Sequence, residues 1–305
     1  MYTKLINKNY FMTTVKLESV ENFWSQNPCG SKTALNEERK RYFQNIENYR
    51  YNLHKDIIEA AGFENYSGKH VLEVGCGVGT DGRQFAKNGA IYTGINLDDG
   101  STNLARENFE VFNLQSTIIK MNAEEMKFPD SAFDHIYSLG VIHHSPNTEK
   151  IIAQMYRVLK PGGTLIVMIY NKTSVNYYFN IMFIRKVFRH VLRPKWAPKF
   201  FSKIIGLEQW KLERHREIML GKKLTKQEWI SINTDGPDCP LAKVYNKNEA
   251  IIMFKNAGFV DVETFVRGVN RLHFGYFGKL IPNFFANYLG KFWGWSRYIS
   301  ANKRI

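Results

Sequence analysis

Hydrophobic and polar positions along this chain follow two periods in alternation. Short strand-like runs occur at 70–74, 91–97, 116–121, 133–139 and 164–171. In the last, Leu165 to Ile169 is apolar throughout, as for a strand buried on both faces. Between them lie stretches of helical period at 81–88, 99–113 and 148–159, the second with Leu104, Phe109 and Phe112 on one side. Strand and helix in regular alternation predict an α/β fold with a parallel sheet and helices on both faces. Ahead of this block, residues 1–35 are irregular in pattern. From residue 36 a helical segment carries Tyr42, Ile46, Tyr49, Leu53, Ile57, Ile58 and Ala61 and stops at Gly62. At the far end, 247–256 reads as a helix stopped by Gly258, followed by strands at 259–267 and 296–302.

The 74 residues from 172 to 245 interrupt this order. Within them 180–193 predicts an amphipathic helix, with Ile181, Ile184, Phe188 and Val191 on one side and Arg185, Lys186, Arg189, His190 and Arg193 on the other. Residues 276–295 are rich in Phe, Tyr and Trp and are broken by Pro282.

Composition adds two constraints. With 305 residues, 44% hydrophobic, the chain can bury one large core. Its net charge of +14 is unevenly placed: residues 1–170 hold 18 basic and 19 acidic side chains, residues 171–305 hold 24 and 9. The excess points to an anionic partner or to a solvated lysine-rich face. Three dispersed cysteines (Cys29, Cys76, Cys239) suggest free thiols and a cytoplasmic setting, with no metal-ligand spacing. There is no apolar run of about 18 residues, and the first twenty residues lack a signal-peptide pattern, so at most peripheral membrane contact is expected.

The chemistry centres on Val71 to Gly82, VLEVGCGVGTDG. A buried strand containing Glu73 runs into Gly75-Cys76-Gly77-Val78-Gly79 and then a helix start. Glycines let the backbone turn sharply and let a ligand approach it, and a helix start adds unpaired N–H groups. This is a small-molecule cradle at the carboxyl end of a strand. Gly77 to Gly82 also satisfies the dinucleotide pattern G-x-G-x-x-G, a weak signal by itself.

Glu73, the glycines at 75, 77 and 79, and Lys160-Pro161-Gly162-Gly163 before another strand together resemble the class I S-adenosylmethionine-dependent methyltransferases. The resemblance covers about 65–171 strongly and 246–302 loosely. It implies a Rossmann-like seven-stranded sheet, a helical cofactor cover at 1–64, a cofactor-binding core at 65–171, an inserted basic cap at 172–245 and a closing helix and two strands at 246–305. The implied cofactor is S-adenosylmethionine, held by Glu73, Gly75, Gly77, Gly79, Asn122, Ala123 and Leu139. Where the family carries an acid for the ribose hydroxyls this chain has Asn96, the first choice for that contact, with Asp98 the second. Asn122 likewise stands where an Asp is common. Arg50 or Tyr51 could reach the methionine end, or simply pack on the sheet.

In the family the loop after the fourth strand lies beside the reacting centre. Here it reads Gly140-Val141-Ile142-His143-His144-Ser145-Pro146, not the Asn/Asp-Pro-Pro-aromatic loop used on amide nitrogens. That favours an oxygen or carbon of a small-molecule metabolite as acceptor. His143 and His144 are the candidates for proton transfer. Tyr170, Asp235 (in the turn cluster 234–240) and Tyr245 are candidate substrate contacts. The cap segment 176–206 fits a membrane-surface helix, a lid or a solvated face. No RNA-binding signature is present, and nucleic acid is not expected as a partner. The alternatives are a membrane-surface or RNA-binding protein on this fold, or a dinucleotide-dependent oxidoreductase.

Overall fold

The computed structural model describes residues 15–31, 38–206, 208–269 and 282–305. In chain order the strands are β1 (His70–Val74), β2 (Ile91–Asn96), β3 (Thr117–Lys120), β4 (Phe133–Leu139), β5 (Leu159–Tyr170), β6 (Val260–Arg267) and β7 (Ser296–Asn302). They form one sheet in the order β3-β2-β1-β4-β5-β7-β6. The first five are mutually parallel, and β7 runs antiparallel between β5 and β6. Strand order reverses between β1 and β4, so their carboxyl ends open a crevice there.

The helices are α1 (Leu17–Gln26), α2 (Arg39–Leu53), α3 (Asp56–Ala61), α4 (Thr80–Lys87), α5 (Asp99–Val111) and α6 (Thr148–Val158). After β5 comes the cap: a π-helix (Asn176–Ile184) continuous with α7 (Arg185–Val191), then α8 (Ala197–Ile205), α9 (Gln209–Gly221) and α10 (Lys226–Ile232). The closing elements include α11 (Lys247–Asn256) and α12 (Asn283–Trp293).

Successive side chains of each strand point to opposite layers, and both layers are apolar. Val71, Tyr137 and Ile166 face one layer with Phe85 and Phe109. Their neighbours Leu72, Ile136 and Val167 face the other, with Ile152 and Phe254. The cap has a separate small core around Ile181, Leu212 and Trp229, and the Trp229 indole donates to the Ile181 carbonyl at 2.9 Å.

Four local readings are corrected. Residues 17–26, read as irregular, form α1; Val20 is its buried residue, and it is held where Gly100 of α5 lets the Ser25 carbonyl approach closely. Tyr49, Leu53 and Ile58 are exposed, and α2 buries Tyr42, Phe43 and Ile46. β5 begins at Leu159 and absorbs Lys160–Gly163 as a bulge: Leu159 pairs with Phe133 and Thr164 with His135. The predicted 180–193 helix is shifted in phase. Its first part is wound as a π-helix, so Val191 turns outward and Leu192 inward, while Arg185 is drawn in to Asn233. Of the aromatic segment, 282–295 contains α12, and 276–281 lies outside the described residues, as do the first fourteen residues.

Helix α11 starts with a capping box: Asn246 accepts from the Glu249 amide at 2.9 Å, and Glu249 accepts from the Asn246 amide at 2.8 Å. Asn246→Ala is expected to cost about 1 kcal/mol, lowering the melting temperature by about 2 °C in a thermal denaturation scan.

Candidate active site

The turn after β1 is left-handed three times, with φ of 76° at Gly75, 54° at Gly77 and 78° at Gly79. Each glycine has a different neighbour. A side chain at Gly75 would sit 2.4 Å from Val141, and one at Gly79 would press on Phe109. At Gly77 it would meet nothing within 4 Å. Gly77 is therefore the open floor of the cradle, while Gly75 and Gly79 permit close packing behind it. Gly79 itself does not line the cleft.

Around this floor lies a cleft of about 1650 Å³. Of the expected cofactor residues, Glu73, Gly75, Gly77, Asn96, Asp98, Asn122, Ala123 and Leu139 line it. Asn96, the first choice for the ribose, also fixes the glycine turn: its Oδ1 accepts from the Gly77 amide at 2.8 Å and its Nδ2 donates to the Gly77 carbonyl at 2.9 Å. That pairing needs a donor that aspartate lacks, and it uses one of the two acceptor sites and one of the two donors of the amide. Asp98 caps α5 through its Oδ1 and the Ser101 amide, at 2.7 Å, with its carboxylate on the cleft wall. Asn122 caps the next turn through the Glu124 amide at 2.9 Å.

Glu73 is buried and accepts from the Tyr92 hydroxyl at 2.5 Å. Burial first, and the neighbouring Asp81 charge second, push its carboxyl up to about 8. Asp81 behaves oppositely. Burial alone would raise it, but Arg50 outweighs that and holds it below the ordinary carboxylate range. Arg50 grips it with two nitrogens, the Nε at 2.7 Å, while Tyr51 and Tyr137 donate at 3.0 and 2.8 Å. Arg50 and Tyr51 therefore reach the cleft end of α4 and do not merely pack on the sheet.

The other end of the cleft gathers residues far apart in sequence. His144 Nδ1 lies 2.6 Å from the Leu241 carbonyl, which can only accept, so this nitrogen carries the hydrogen. In the neutral ring Nε2 is then an acceptor. It is buried without a hydrogen-bond partner, 3.7 Å from Asp235 Oδ2, which is also unpartnered. Tyr170 donates to Asp235 Oδ1 at 2.7 Å, and burial and the Asp235 charge keep its phenol protonated. Trp24 of α1 meets the His144 ring edge-on at 5.0 Å, and Trp295 stacks on Tyr170 at 4.5 Å. Cys29 also lines this cleft. Trp24 and Cys29 lie far from Trp295 in the sequence, and only the fold brings them together.

Two candidates fall away from the cleft. His143 is fully buried behind His144, its ring 3.9 Å from that of Tyr170, and burial lowers its pKa well below the usual value. Tyr245 is buried beside β5, its hydroxyl 3.0 Å from Thr148 and its backbone bridged to Asn171. Cys239 brings a third ligand-type atom near His144 and Asp235, the three lying within 4.8 Å of one another. Its thiol donates to the Leu241 carbonyl at 3.6 Å, and burial pushes its pKa up.

Two predictions follow from this geometry. Asn96→Asp removes the donor to the Gly77 carbonyl and sets a carboxylate against it, so it is expected to lower stability by about 1–3 kcal/mol in urea unfolding. Glu73 holds its proton more tightly folded than unfolded. Its contribution is full below its ordinary value of 4.5 and is lost as pH rises through about 8. Glu73→Gln, which cannot ionise, is expected to flatten that decline in melts run from pH 5 to pH 9 (about one melt per unit).

Residues 72–167 match the family model described as a methyltransferase domain. The chain is 30% identical over 182 residues to a sterol 24-C-methyltransferase of Pneumocystis carinii, covering 49% of this chain and 48% of that one. It is 30% identical over 145 residues to a ubiquinone biosynthesis O-methyltransferase of Coxiella burnetii, covering 47% of this chain and 61% of the relative. The chain thus spans about half the length of these relatives. Among solved structures, the [4+2]-cyclase SpnF superposes with a TM-score of 0.51 at 15% identity, covering 94% of this chain and 95% of that one. That likeness concerns the fold alone. The sheet order and the glycine cradle show a Rossmann-like methyltransferase fold, and residues 72–167 of the chain form a methyltransferase domain.

Proposed function

We propose that this protein transfers the methyl group of S-adenosylmethionine to an oxygen or carbon of a small-molecule acceptor. The observation that carries this is one cleft holding the open glycine floor at one end and the His144–Asp235–Tyr170 group at the other. The residues present fit the cofactor. Gly77 leaves space for close approach to the backbone, Asp98 offers a carboxylate for ribose hydroxyls, and Asn122 and Ala123 line the wall expected for the adenine. Arg50 and Asp81 form the polar end expected for the amino-acid part.

When bound, S-adenosylmethionine supplies an electrophilic methyl on a sulfonium. The chain's own contribution is proximity, alignment and exclusion of water. His144 Nε2 is positioned to accept the proton of a hydroxyl or of an acidic carbon. Leu241 fixes the tautomer, and Asp235, held by Tyr170, stands beside the same nitrogen. Support for an oxygen or carbon acceptor comes also from the relatives' names, one a sterol C-methyltransferase and one a ubiquinone biosynthesis O-methyltransferase.

No helix among the described residues is long and apolar enough to cross a membrane. Our reading of location is peripheral contact with a membrane surface through the basic, aromatic segment 176–206.

The test is transfer of labelled methyl from S-adenosylmethionine into the solvent-extractable small molecules of a bacterial extract. Label is expected there, and none above background in protein or RNA. His144→Asn keeps a donor for Leu241 but removes Nε2. It is expected to leave cofactor affinity unchanged and to slow transfer about 100-fold or more. Label accumulating in macromolecules, or full activity in His144→Asn, would contradict the assignment.

A further inference from the structure

The cap has two apolar sides, and the fold buries only one. Ile181 and Leu192 enter the cap core, and Phe188 packs against Phe201. On the outer side Phe179, Phe183, Val187 and Val191 recur at every fourth position and are exposed, Phe183 by 60%. The π-helical winding produces this second row: NYYFNIMFI is apolar around most of its circumference, yet it lies at the surface. Helix α12 repeats the pattern with Phe284, Tyr288 and Phe292, again four apart and exposed, Phe284 by 76%. The two rows meet at a shallow groove where Tyr178 and Phe179 of the cap face Phe292 and Trp293 of α12. An apolar edge built from two elements is more than the scattered exposure normal on a soluble surface.

The charge along the same edge has one sign. Residues 176–206 contain seven Lys or Arg and no Asp or Glu, and residues 282–295 add Lys291 and again no acid. Lys186, Lys199, Lys203 and Lys291 are exposed. Along the 176–191 rod the apolar residues form a stripe with Lys186 and His190 beside it. Such a stripe suits insertion at the acyl boundary, with lysine stems reaching back to headgroups and Tyr and Trp at the interface.

We propose that this two-helix edge docks on an anionic lipid bilayer. The proposal deepens the peripheral placement above by naming the composite face and the lipid charge. Helix α12 also stands between that face and the cleft: Ala286 and Lys291 line the cleft, while Tyr288 and Phe292 look outward. An acceptor carried in the bilayer would enter over this helix. That last step rests on reading the cleft as the acceptor site, whereas docking does not.

The experiment is co-sedimentation of the full chain with phosphatidylglycerol vesicles and, separately, phosphatidylcholine vesicles at near-physiological salt. Phe179→Ser/Phe183→Ser/Phe292→Ser tests the aromatic row, and Lys186→Ala/Lys199→Ala/Lys203→Ala tests the cations. Binding is expected to favour phosphatidylglycerol, and each triple variant is expected to weaken it by about tenfold or more. Each variant is checked for folding by circular dichroism and for an unchanged S-adenosylmethionine titration. Equal binding to the two lipids, or an aromatic variant that sediments like the wild type, would overturn the proposal. So would release of the protein from vesicles by total tRNA with the aromatic variant unaffected, which would mark a polyanion site. The titration reads on the methyltransferase assignment alone, so vesicle binding without cofactor binding would remove the enzyme reading and keep the docking face.

Discussion

The structure depends on a backbone turn that only glycine tolerates at its two tightest points. At Gly75 the chain leaves β1 against Val141, and at Gly79 it enters α4 against Phe109. With both neighbours that close, the turn has little freedom, and Gly77 between them is left facing the cleft. Asn96 clamps Gly77 from the end of β2, pairing its amide and carbonyl. The start of α4 is fixed in consequence, and Asp81 on its first turn becomes the acceptor for Arg50, Tyr51 and Tyr137. One turn thus positions a ligand floor, a helix terminus and a buried charge pair that ties the N-terminal helices to the sheet.

The second end of the cleft is built by the chain returning. The segment that follows α10 carries Asp235 to Tyr170 and sets the Leu241 carbonyl against His144. Its backbone then joins β5 through Tyr245, whose amide bonds the Tyr170 carbonyl at 2.9 Å. Tyr245 matters for this closure from behind the site and not as a contact within it. The unpartnered Nε2 and carboxylate oxygen left facing each other are costly in a folded chain unless a bound group satisfies them. A donor such as an acceptor hydroxyl would do so, which is the physical link between the cap and the proposed chemistry.

Much of the architecture was legible in the sequence because short strand-like runs alternate with stretches of helical period, and Leu165 to Ile169 is apolar throughout. The glycine spacing likewise announced the turn, since three left-handed positions so close together favour glycine. What escaped was whatever depends on distant parts meeting. Helix α1 buries little beyond Val20 and so shows no clear period, and Trp24 and Cys29 enter the cleft only through its docking. The clamp of Asn96 on Gly77 is not legible because its partner is a backbone. A 3.6-residue period misplaces the faces of the cap helix because its first part is π-helical. His143 and His144 are adjacent in sequence, and only the fold shows which of them faces the cleft.

The central claim is that Gly77 is the floor of a cofactor cradle. Titration calorimetry with S-adenosylhomocysteine on the wild type and on Gly77→Asn, a residue that tolerates the left-handed φ of 54°, tests it most directly. The account predicts single-site binding by the wild type and its loss in a variant that still melts cooperatively, because the added side chain occupies open cleft space. Absence of binding by the wild type, or equal binding by Gly77→Asn, would contradict it.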